Sequence, residues 1–127
     1  MDEKSLLYTE SHEWVETSGD EVRVGITDHA QQMLGDIVFV EMPEVGKTVE
    51  AGDELLTVES PKAAASVYAP VSGEVIAIND ELEGTPETIN ASPYEGGWLV
   101  KLKPTSFESE KGKLLDYEGY QKKLEEE

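Results

Sequence analysis

One lysine stands apart from the other basic residues of this sequence. Between Lys47 and Lys101, Lys62 is the only residue with a positive charge. The acidic residues that share this stretch are Glu50, Asp53, Glu54, Glu59, Glu74, Asp80, Glu81, Glu83, Glu87 and Glu95. An exposed primary amine can accept an acyl group from a modifying enzyme, which removes its charge and attaches a long arm. The alternative is an unmodified surface lysine.

The residues around Lys62 predict a tight turn. The local sequence is Glu-Ser-Pro-Lys-Ala-Ala-Ala over residues 59–65. Because proline presets φ at the second position of a β-turn, we expect Lys62 at the third position with its side chain in solvent. The small alanines that follow would let the active site of another protein close over the amine.

Few other residues could carry out chemistry. Cysteine is absent, which excludes disulfides, thiolate metal sites and a cysteine nucleophile, so redox sulfur would have to arrive on a cofactor. We interpret His12 and His29 as too isolated to be ligands and as structural or surface residues. No nucleophile with a base, phosphate loop or metal cluster is recognisable. The sequence therefore predicts no catalytic residue, no metal site and no enzyme activity.

The charge balance argues against two classes of partner. The chain has 28 acidic and 10 basic residues, a formal net charge of −18. Nucleic acids and anionic membranes should repel it, whereas basic docking sites on protein partners should attract it. A solvated acidic surface without a specific partner is the alternative. The sequence shows neither a signal or transit peptide nor an apolar stretch long enough to span a bilayer, so we expect a cytoplasmic protein.

Short β-branched and aromatic runs predict a mainly β fold in a single domain, residues 1–127. Strands are predicted at residues 22–26, 37–42, 54–59, 65–71, 73–78 and 98–103. The core of the fold is expected to be a hairpin segment at about 49–79, with Lys62 at its tip. Residues 84–90 have no strand period and indicate a loop with one helical turn.

Two helices are predicted. Thr27 or Asp28 can cap a short helix through Gln32 that ends at Gly35. A C-terminal amphipathic helix is expected at about 114–125. Its apolar positions are Tyr117, Tyr120 and Leu124, and Asp116 is its candidate cap. Gly119 lowers the helix propensity of this segment by about 1 kcal/mol.

Five separated blocks of the sequence resemble the glycine cleavage H-protein family. They are ESPKAAASVYAPVSGEV at 59–75, YTESHEWV at 8–15, VGITDHAQ at 24–31, LGDIVFVEMPEVG at 34–46 and NASPYEGGWLVKLKPT at 90–105. The blocks keep the family's order and spacing. The resemblance covers nearly the whole chain and implies a barrel-sandwich hybrid, related to lipoyl and biotinyl carrier domains, with a C-terminal helix.

The resemblance also implies a function. Lipoate would be covalently attached to Lys62 by a lipoyl-attaching enzyme, and the protein would be a monomeric carrier. A pyridoxal-phosphate-dependent glycine decarboxylase (P-protein) would load the arm with an aminomethyl group. A tetrahydrofolate-dependent aminomethyltransferase (T-protein) would unload it, and dihydrolipoyl dehydrogenase (L-protein) would reoxidise it.

By the same resemblance, Ser11, Glu13, Met33 and Ser66 would line a cleft that shelters the loaded arm from water. Ser11 and Glu13 could hold the protonated amine by charge-assisted hydrogen bonds. The family often has valine at the position of Pro61 and serine-aspartate in place of Ala65-Ser66, which leaves Glu13 as the expected counter-charge. Some members have a histidine at the position of Met33, where we expect an apolar wall.

Three alternatives remain open. An H-like protein could relay lipoate to other complexes. A biotin carrier would share the fold, although biotin domains usually flank the lysine with methionines, whereas here the neighbours are Pro61 and Ala63. The chain could also be an unmodified acidic interaction module.

Overall fold

The computed structural model describes residues 3–126, which fold mainly into short antiparallel strands. The domain was predicted to span residues 1–127, and three of these residues lie outside the described part: Met1, Asp2 and Glu127. The strands are β1 Leu7–Tyr8, β2 Glu13–Ser18, β3 Glu21–Ile26, β4 Phe39–Glu41, β5 Thr48–Val49, β6 Glu54–Glu59, β7 Ala64–Tyr68, β8 Gly73–Ile78 and β9 Val100–Pro104. The α-helices are α1 Asp28–Leu34, α2 Glu81–Gly84, α3 Thr88–Ala91, α4 Phe107–Glu110 and α5 Tyr117–Glu126, and 3₁₀ turns lie at Glu3–Ser5 and Lys111–Lys113.

The strands form two sheets that share one hydrophobic core. The larger sheet has the order β1-β2-β3-β9-β8-β5, and the smaller sheet has the order β4-β6-β7. Alternate residues of β3 and β6, such as Val22, Val24 and Val58, are buried in this core because successive side chains point to opposite faces of a strand. The mainly β fold class is therefore confirmed, and the described strands do not close into a barrel.

The segment predicted as the hairpin core contributes to both sheets. β6 pairs with β7 in the small sheet, and β5 pairs with β8 in the large sheet. The strand predicted at 65–71 ends at Tyr68, because Pro70 has no N–H to donate to a neighbouring strand. The segment 84–90, predicted as a loop with one helical turn, begins at the last residue of α2, and its helical turn is the start of α3.

A second, aromatic cluster fastens the C-terminal helix to the large sheet. Tyr8, Trp14 and Tyr120 are buried in it, and the rings of Tyr8 and Tyr120 stack 4.6 Å apart. The indole of Trp14 donates to the carbonyl of Pro93 at 3.0 Å. Trp14 lies opposite Gly25 across β2 and β3, where a Cβ atom would come within 2.5 Å of the indole ring. Glycine at this position therefore makes room for Trp14.

Both predicted helices are present, but the C-terminal one starts late. Around α1, the Thr27 hydroxyl accepts from the N–H of Ala30, and Gly35 ends the helix with φ of +79°. α5 begins at Tyr117 and not near residue 114, because the backbone of Leu115 exchanges two hydrogen bonds of 2.7 Å with Tyr8. The expected cap is confirmed, since the carboxylate of Asp116 accepts from the N–H of Gly119 at 2.8 Å.

Three strands were not predicted from the sequence. β1 and β5 have two residues each, too few to show a period. β2 reads Glu-Trp-Val-Glu-Thr-Ser, and its first three residues are all buried, so it lacks the alternation of a half-exposed strand. Glu13 and Val15 share one face of the strand, where Val15 packs in the main core, and Trp14 is buried on the opposite face in the aromatic cluster.

Candidate functional site

Lys62 lies at the tip of the hairpin formed by β6 and β7. Ser60 and Ala63 close the turn: the N–H of Ser60 donates to the carbonyl of Ala63 at 2.8 Å, and the N–H of Ala63 donates to the Ser60 hydroxyl at 3.2 Å. Pro61 and Lys62 occupy the two central positions, and both are exposed. The predicted turn and the exposure of the lysine are therefore confirmed.

The stem of Lys62 lies beside the end of helix α1. A Cβ atom on Gly35 would be 3.5 Å from Cδ of Lys62. Met33 precedes Gly35 by two residues and is 52% exposed. Val38 and Phe39 are 57% and 51% exposed, and the N–H of Val38 donates to the carbonyl of Glu59 at the end of β6. The lysine turn is thus bordered by exposed apolar side chains.

Glu13 forms the second half of the candidate site and is almost completely buried, with 1% of its surface exposed. Its Oε1 accepts from the hydroxyls of Thr9 at 2.5 Å and Ser11 at 2.6 Å, and its Oε2 accepts from the N–H of Tyr68 at 3.2 Å. Burial raises the pKa of Glu13, and the bonds from Ser11, Thr9 and Tyr68 partly oppose this rise. No lysine or arginine among the described residues forms an ion pair with this carboxylate.

The backbone just before Glu13 directs this carboxylate inward. His12 has φ of +73°, a left-handed conformation that is uncommon for residues other than glycine. Its N–H donates to the carbonyl of Thr9 at 3.2 Å, closing a turn. The exposed Ser11 is followed by buried His12 and buried Glu13, so the chain enters the interior of the protein at this turn.

An open cleft of about 430 Å³ lies against Glu13. Its lining residues are Thr9, Glu10, Ser11, Glu13, Gly52, Tyr68, Ala69, Pro70, Lys113 and Leu114. The cleft and the lysine turn lie at opposite ends of β7, with Tyr68 six residues after Lys62. At the usual rise of a strand this separation is about 20 Å, far beyond the reach of an unmodified lysine side chain.

The structure therefore brings together only part of the predicted arm cleft. Ser11 and Glu13 are hydrogen-bonded in the cleft, whereas Met33 and Ser66 do not line it. Met33 lies two residues before Gly35, the residue beside the Lys62 stem. Ser66 lies on β7, where its hydroxyl donates to the carboxylate of Glu54 at 2.9 Å.

Thr9 and the N–H of Tyr68 are site groups that the sequence analysis missed. A signal for Thr9 was present, because Thr9, Ser11 and Glu13 are polar residues at a spacing of two within one block. The contribution of Tyr68 is a backbone amide and has no sequence signal, since any residue except proline supplies one.

The two histidines were interpreted as isolated, and this was wrong. Their rings lie 4.8 Å apart. Nδ1 of His12 lies 2.8 Å from the Tyr120 hydroxyl, which in turn lies 2.7 Å from the hydroxyl of Thr27. The network joins the turn before β2 to helices α1 and α5, which agrees with a structural role. Among residues 3–126, no three histidine, aspartate or glutamate side chains group as metal ligands, and no helix could cross a membrane.

Comparisons with known proteins agree on one family. The family model described as "Glycine cleavage H-protein" matches residues 6–127. A glycine cleavage system H protein of Vibrio parahaemolyticus is 55% identical over 126 residues, covering 98% of this chain and 99% of that protein. One from Sodalis glossinidius is 54% identical over 123 residues, covering 96% of this chain and 93% of that protein.

A solved structure supports the same assignment. The crystal structure of a glycine cleavage system H protein from Mycobacterium marinum superposes with a TM-score of 0.87 at 39% identity, covering 96% of this chain and 98% of that one. This similarity confirms the expected hybrid of barrel and sandwich sheets. The chain belongs to the glycine cleavage H-protein family, whose members are lipoyl carriers of the glycine cleavage system and not enzymes.

Proposed function

We propose that lipoate is attached to Lys62 and that the resulting arm carries an aminomethyl group between the enzymes of the glycine cleavage system. The observation that carries this proposal is the exposed amine of Lys62 at the tip of the β6–β7 hairpin. An amide bond between this amine and the lipoyl carboxyl group would remove one positive charge. No ion pair of Lys62 with another described residue would be lost.

In this proposal the protein acts as a monomer in the cytoplasm and meets four partners. A lipoyl-attaching enzyme modifies Lys62. The P-protein loads the arm with the aminomethyl group of glycine, the T-protein transfers the one-carbon unit to tetrahydrofolate, and the L-protein reoxidises the arm. The dithiolane of lipoate supplies the sulfur chemistry that this cysteine-free chain lacks.

The Glu13 cleft is proposed as the resting place of the loaded end of the arm. A buried carboxylate with hydrogen-bond donors but no ion-pair partner is costly to ionise. A primary ammonium group in the cleft would provide the missing positive charge and form charge-assisted hydrogen bonds with Glu13 and Ser11. The cleft would also keep water away from the aminomethyl thioether, which is prone to hydrolysis.

The path of the arm is proposed to follow β7. Ala64, Ser66 and Tyr68 share one face of this strand because side chains alternate along it. Ala64 leaves room next to the lysine, and Ser66 lies midway between the lysine turn and the cleft. Met33 would provide apolar contact at the lysine end.

The test is the exchange of the glycine carboxyl group with labelled bicarbonate by the P-protein. We expect lipoylated protein to stimulate exchange and unlipoylated protein to have little effect. Lipoylated protein that fails to stimulate exchange would contradict the glycine cleavage role and favour the lipoate relay. Failure of Lys62 to accept lipoate would instead favour an unmodified interaction module.

A further inference from the structure

We propose that Thr9 is a positioning residue, whose hydroxyl holds the Glu13 carboxylate in the orientation that receives a primary ammonium group at the end of the arm. This inference rests on the function proposed above and assigns a role to a residue outside the predicted arm cleft. It explains how one carboxylate can serve as the anionic group of the cleft, although Ser66 stands where an acidic residue could have shared that task.

The hydroxyl of Thr9 is held from two sides by the same residue. It accepts a hydrogen bond from the N–H of Glu13 at 3.0 Å and donates one to Oε1 of Glu13 at 2.5 Å. The N–H of Thr9 also donates to the carbonyl of Glu13 at 2.9 Å. Because one lone pair of the hydroxyl is engaged by the backbone, its hydrogen is directed at the carboxylate. Thr9 therefore fixes the orientation of the Glu13 side chain relative to the backbone of Glu13.

Ser11 is placed differently, although it donates to the same oxygen. Ser11 is exposed, whereas Thr9 is half-buried. The bond from Ser11 to Oε1 is 2.6 Å long, and the Ser11 oxygen also lies 3.3 Å from the Thr9 hydroxyl, but no backbone group among residues 3–126 directs the Ser11 hydroxyl. Ser11 can therefore rotate and accept a hydrogen bond from an incoming ammonium group. Thr9 and the N–H of Tyr68 would meanwhile keep both carboxylate oxygens in place.

The positioning role of Thr9 can be measured through the pH at which protection of the arm is lost. The other titratable groups that line the cleft are Glu10, Tyr68 and Lys113, and His12 precedes Glu13 but contacts Tyr120 and His29. The bond from Thr9 lowers the pKa of Glu13 against the larger effect of burial. Holding an ammonium group requires the ionised carboxylate, so protection is lost as the pH falls through the pKa of Glu13. Without the Thr9 hydroxyl this loss should occur at a higher pH.

The experiment measures hydrolysis of the loaded arm in lipoylated full-length protein. In this reaction water cleaves the bond between carbon and sulfur, and the aminomethyl thioether gives a free thiol, formaldehyde and ammonium. Protein loaded by the P-protein with glycine is freed of enzyme and excess glycine, and formaldehyde release is followed at several pH values. The variants are Thr9→Val, Thr9→Ala and Thr9→Ser, with Thr17→Val on the exposed part of β2 as the matched control.

We expect Thr9→Val and Thr9→Ala to release formaldehyde about 3- to 10-fold faster near neutral pH, the effect of one lost hydrogen bond. The pH midpoint of protection should also rise in both variants. Thr9→Ser keeps a hydroxyl and should restore the wild-type rate and midpoint, and Thr17→Val should match the wild type.

Three outcomes would overturn the inference. Wild-type rates in both Thr9→Val and Thr9→Ala would show that the hydroxyl is not needed. If formaldehyde release were faster but the pH midpoint of protection were unchanged, the substitution would have loosened the cleft, and Thr9 would not position the carboxylate. If Thr9→Ser behaved like Thr9→Val, the methyl group and not the hydroxyl would matter. In each of these cases the proposed function is still supported if Glu13 protects the arm of the wild-type protein from hydrolysis. Failure of the wild type to accept an aminomethyl group would instead reject the proposed function and this inference together.

Discussion

Two charged side chains near the opposite ends of strand β7 differ in their exposure to solvent. At one end Lys62 is exposed on a tight turn, and no described carboxylate forms an ion pair with it. At the other end Glu13 is buried and accepts hydrogen bonds from hydroxyl and amide donors, and no described lysine or arginine forms an ion pair with it. In the proposed function, this exposure gives another protein access to the lysine, and the buried carboxylate receives a ligand that brings its own positive charge.

If the proposed function is correct, the protein separates attachment of the arm at Lys62 from protection of the arm at Glu13. Exposure suits Lys62, because a modifying enzyme must surround the amine. Burial suits Glu13, because an electrostatic interaction is stronger where water is excluded. The distance of about 20 Å along β7 requires a long, flexible link between the two groups. Changes at either end should therefore affect different steps.

The largest effect is expected from Lys62→Arg. Arginine keeps the positive charge and the exposure but cannot form the lipoyl amide. We expect no lipoyl adduct by intact-mass analysis, no stimulation of exchange and an unchanged melting temperature. Lys47→Arg, a matched change at another exposed lysine, should be lipoylated and active. A lipoylated Lys62→Arg variant would contradict the assignment of the site.

Glu13→Gln should separate protection from attachment. The amide is nearly the same size but has no negative charge, so a charge-assisted hydrogen bond to the ammonium group is lost. We expect lipoylation to be unchanged and the loaded arm to hydrolyse roughly 10- to 100-fold faster near neutral pH. The wild-type rate should approach that of the variant as the pH falls through the raised pKa of Glu13. Equal rates for both proteins at neutral pH would reject the cleft as the resting place.

Gly25→Ala should destabilise the packing around Trp14, next to the cleft, without changing the Lys62 hairpin. The added methyl group would lie within 2.5 Å of the indole of Trp14, the residue next to Glu13. We expect a loss of about 1–3 kcal/mol in the free energy of unfolding, measured by urea denaturation. Gly84→Ala is the control, because nothing lies within 4 Å of a Cβ atom there. Equal stabilities of the two variants would show that the Trp14 contact does not determine the cost.

The smallest effect is expected from Pro61→Ala at the hairpin tip. Pro61 is exposed, and its ring mainly restricts the unfolded chain. We expect a loss of about 0.4–1 kcal/mol in the free energy of unfolding, with lipoylation of Lys62 retained. Loss of lipoylation in a folded Pro61→Ala protein would show that the modifying enzyme requires the stiff turn.

The same contrast explains which parts of the molecule the sequence could predict. The Lys62 hairpin and helix α1 follow from local signals: Pro61 in the turn, Thr27 at the cap and Gly35 at the end of the helix. The surroundings of Glu13 depend on contacts between distant residues, such as the bond from the N–H of Tyr68. The left-handed conformation of His12 and its proximity to His29 likewise arise only in the folded chain.

The start of helix α5 shows the same limit. Helical spacing predicted the element, and Asp116 was correctly identified as its cap. The segment before it was misjudged, because Leu115 pairs with Tyr8 more than a hundred residues earlier in the chain. Tertiary pairing of this kind overrides local propensity and has no local signal.

The most direct test of the central claim is to locate the lipoyl group by peptide mapping. The full-length protein would be incubated with lipoate, ATP and a lipoate ligase, digested, and analysed by tandem mass spectrometry. We predict one lipoyl amide, on the peptide that contains Lys62, with every other lysine unmodified. An unmodified Lys62, or a lipoyl group on another lysine, would contradict the assignment of the hairpin tip as the attachment site.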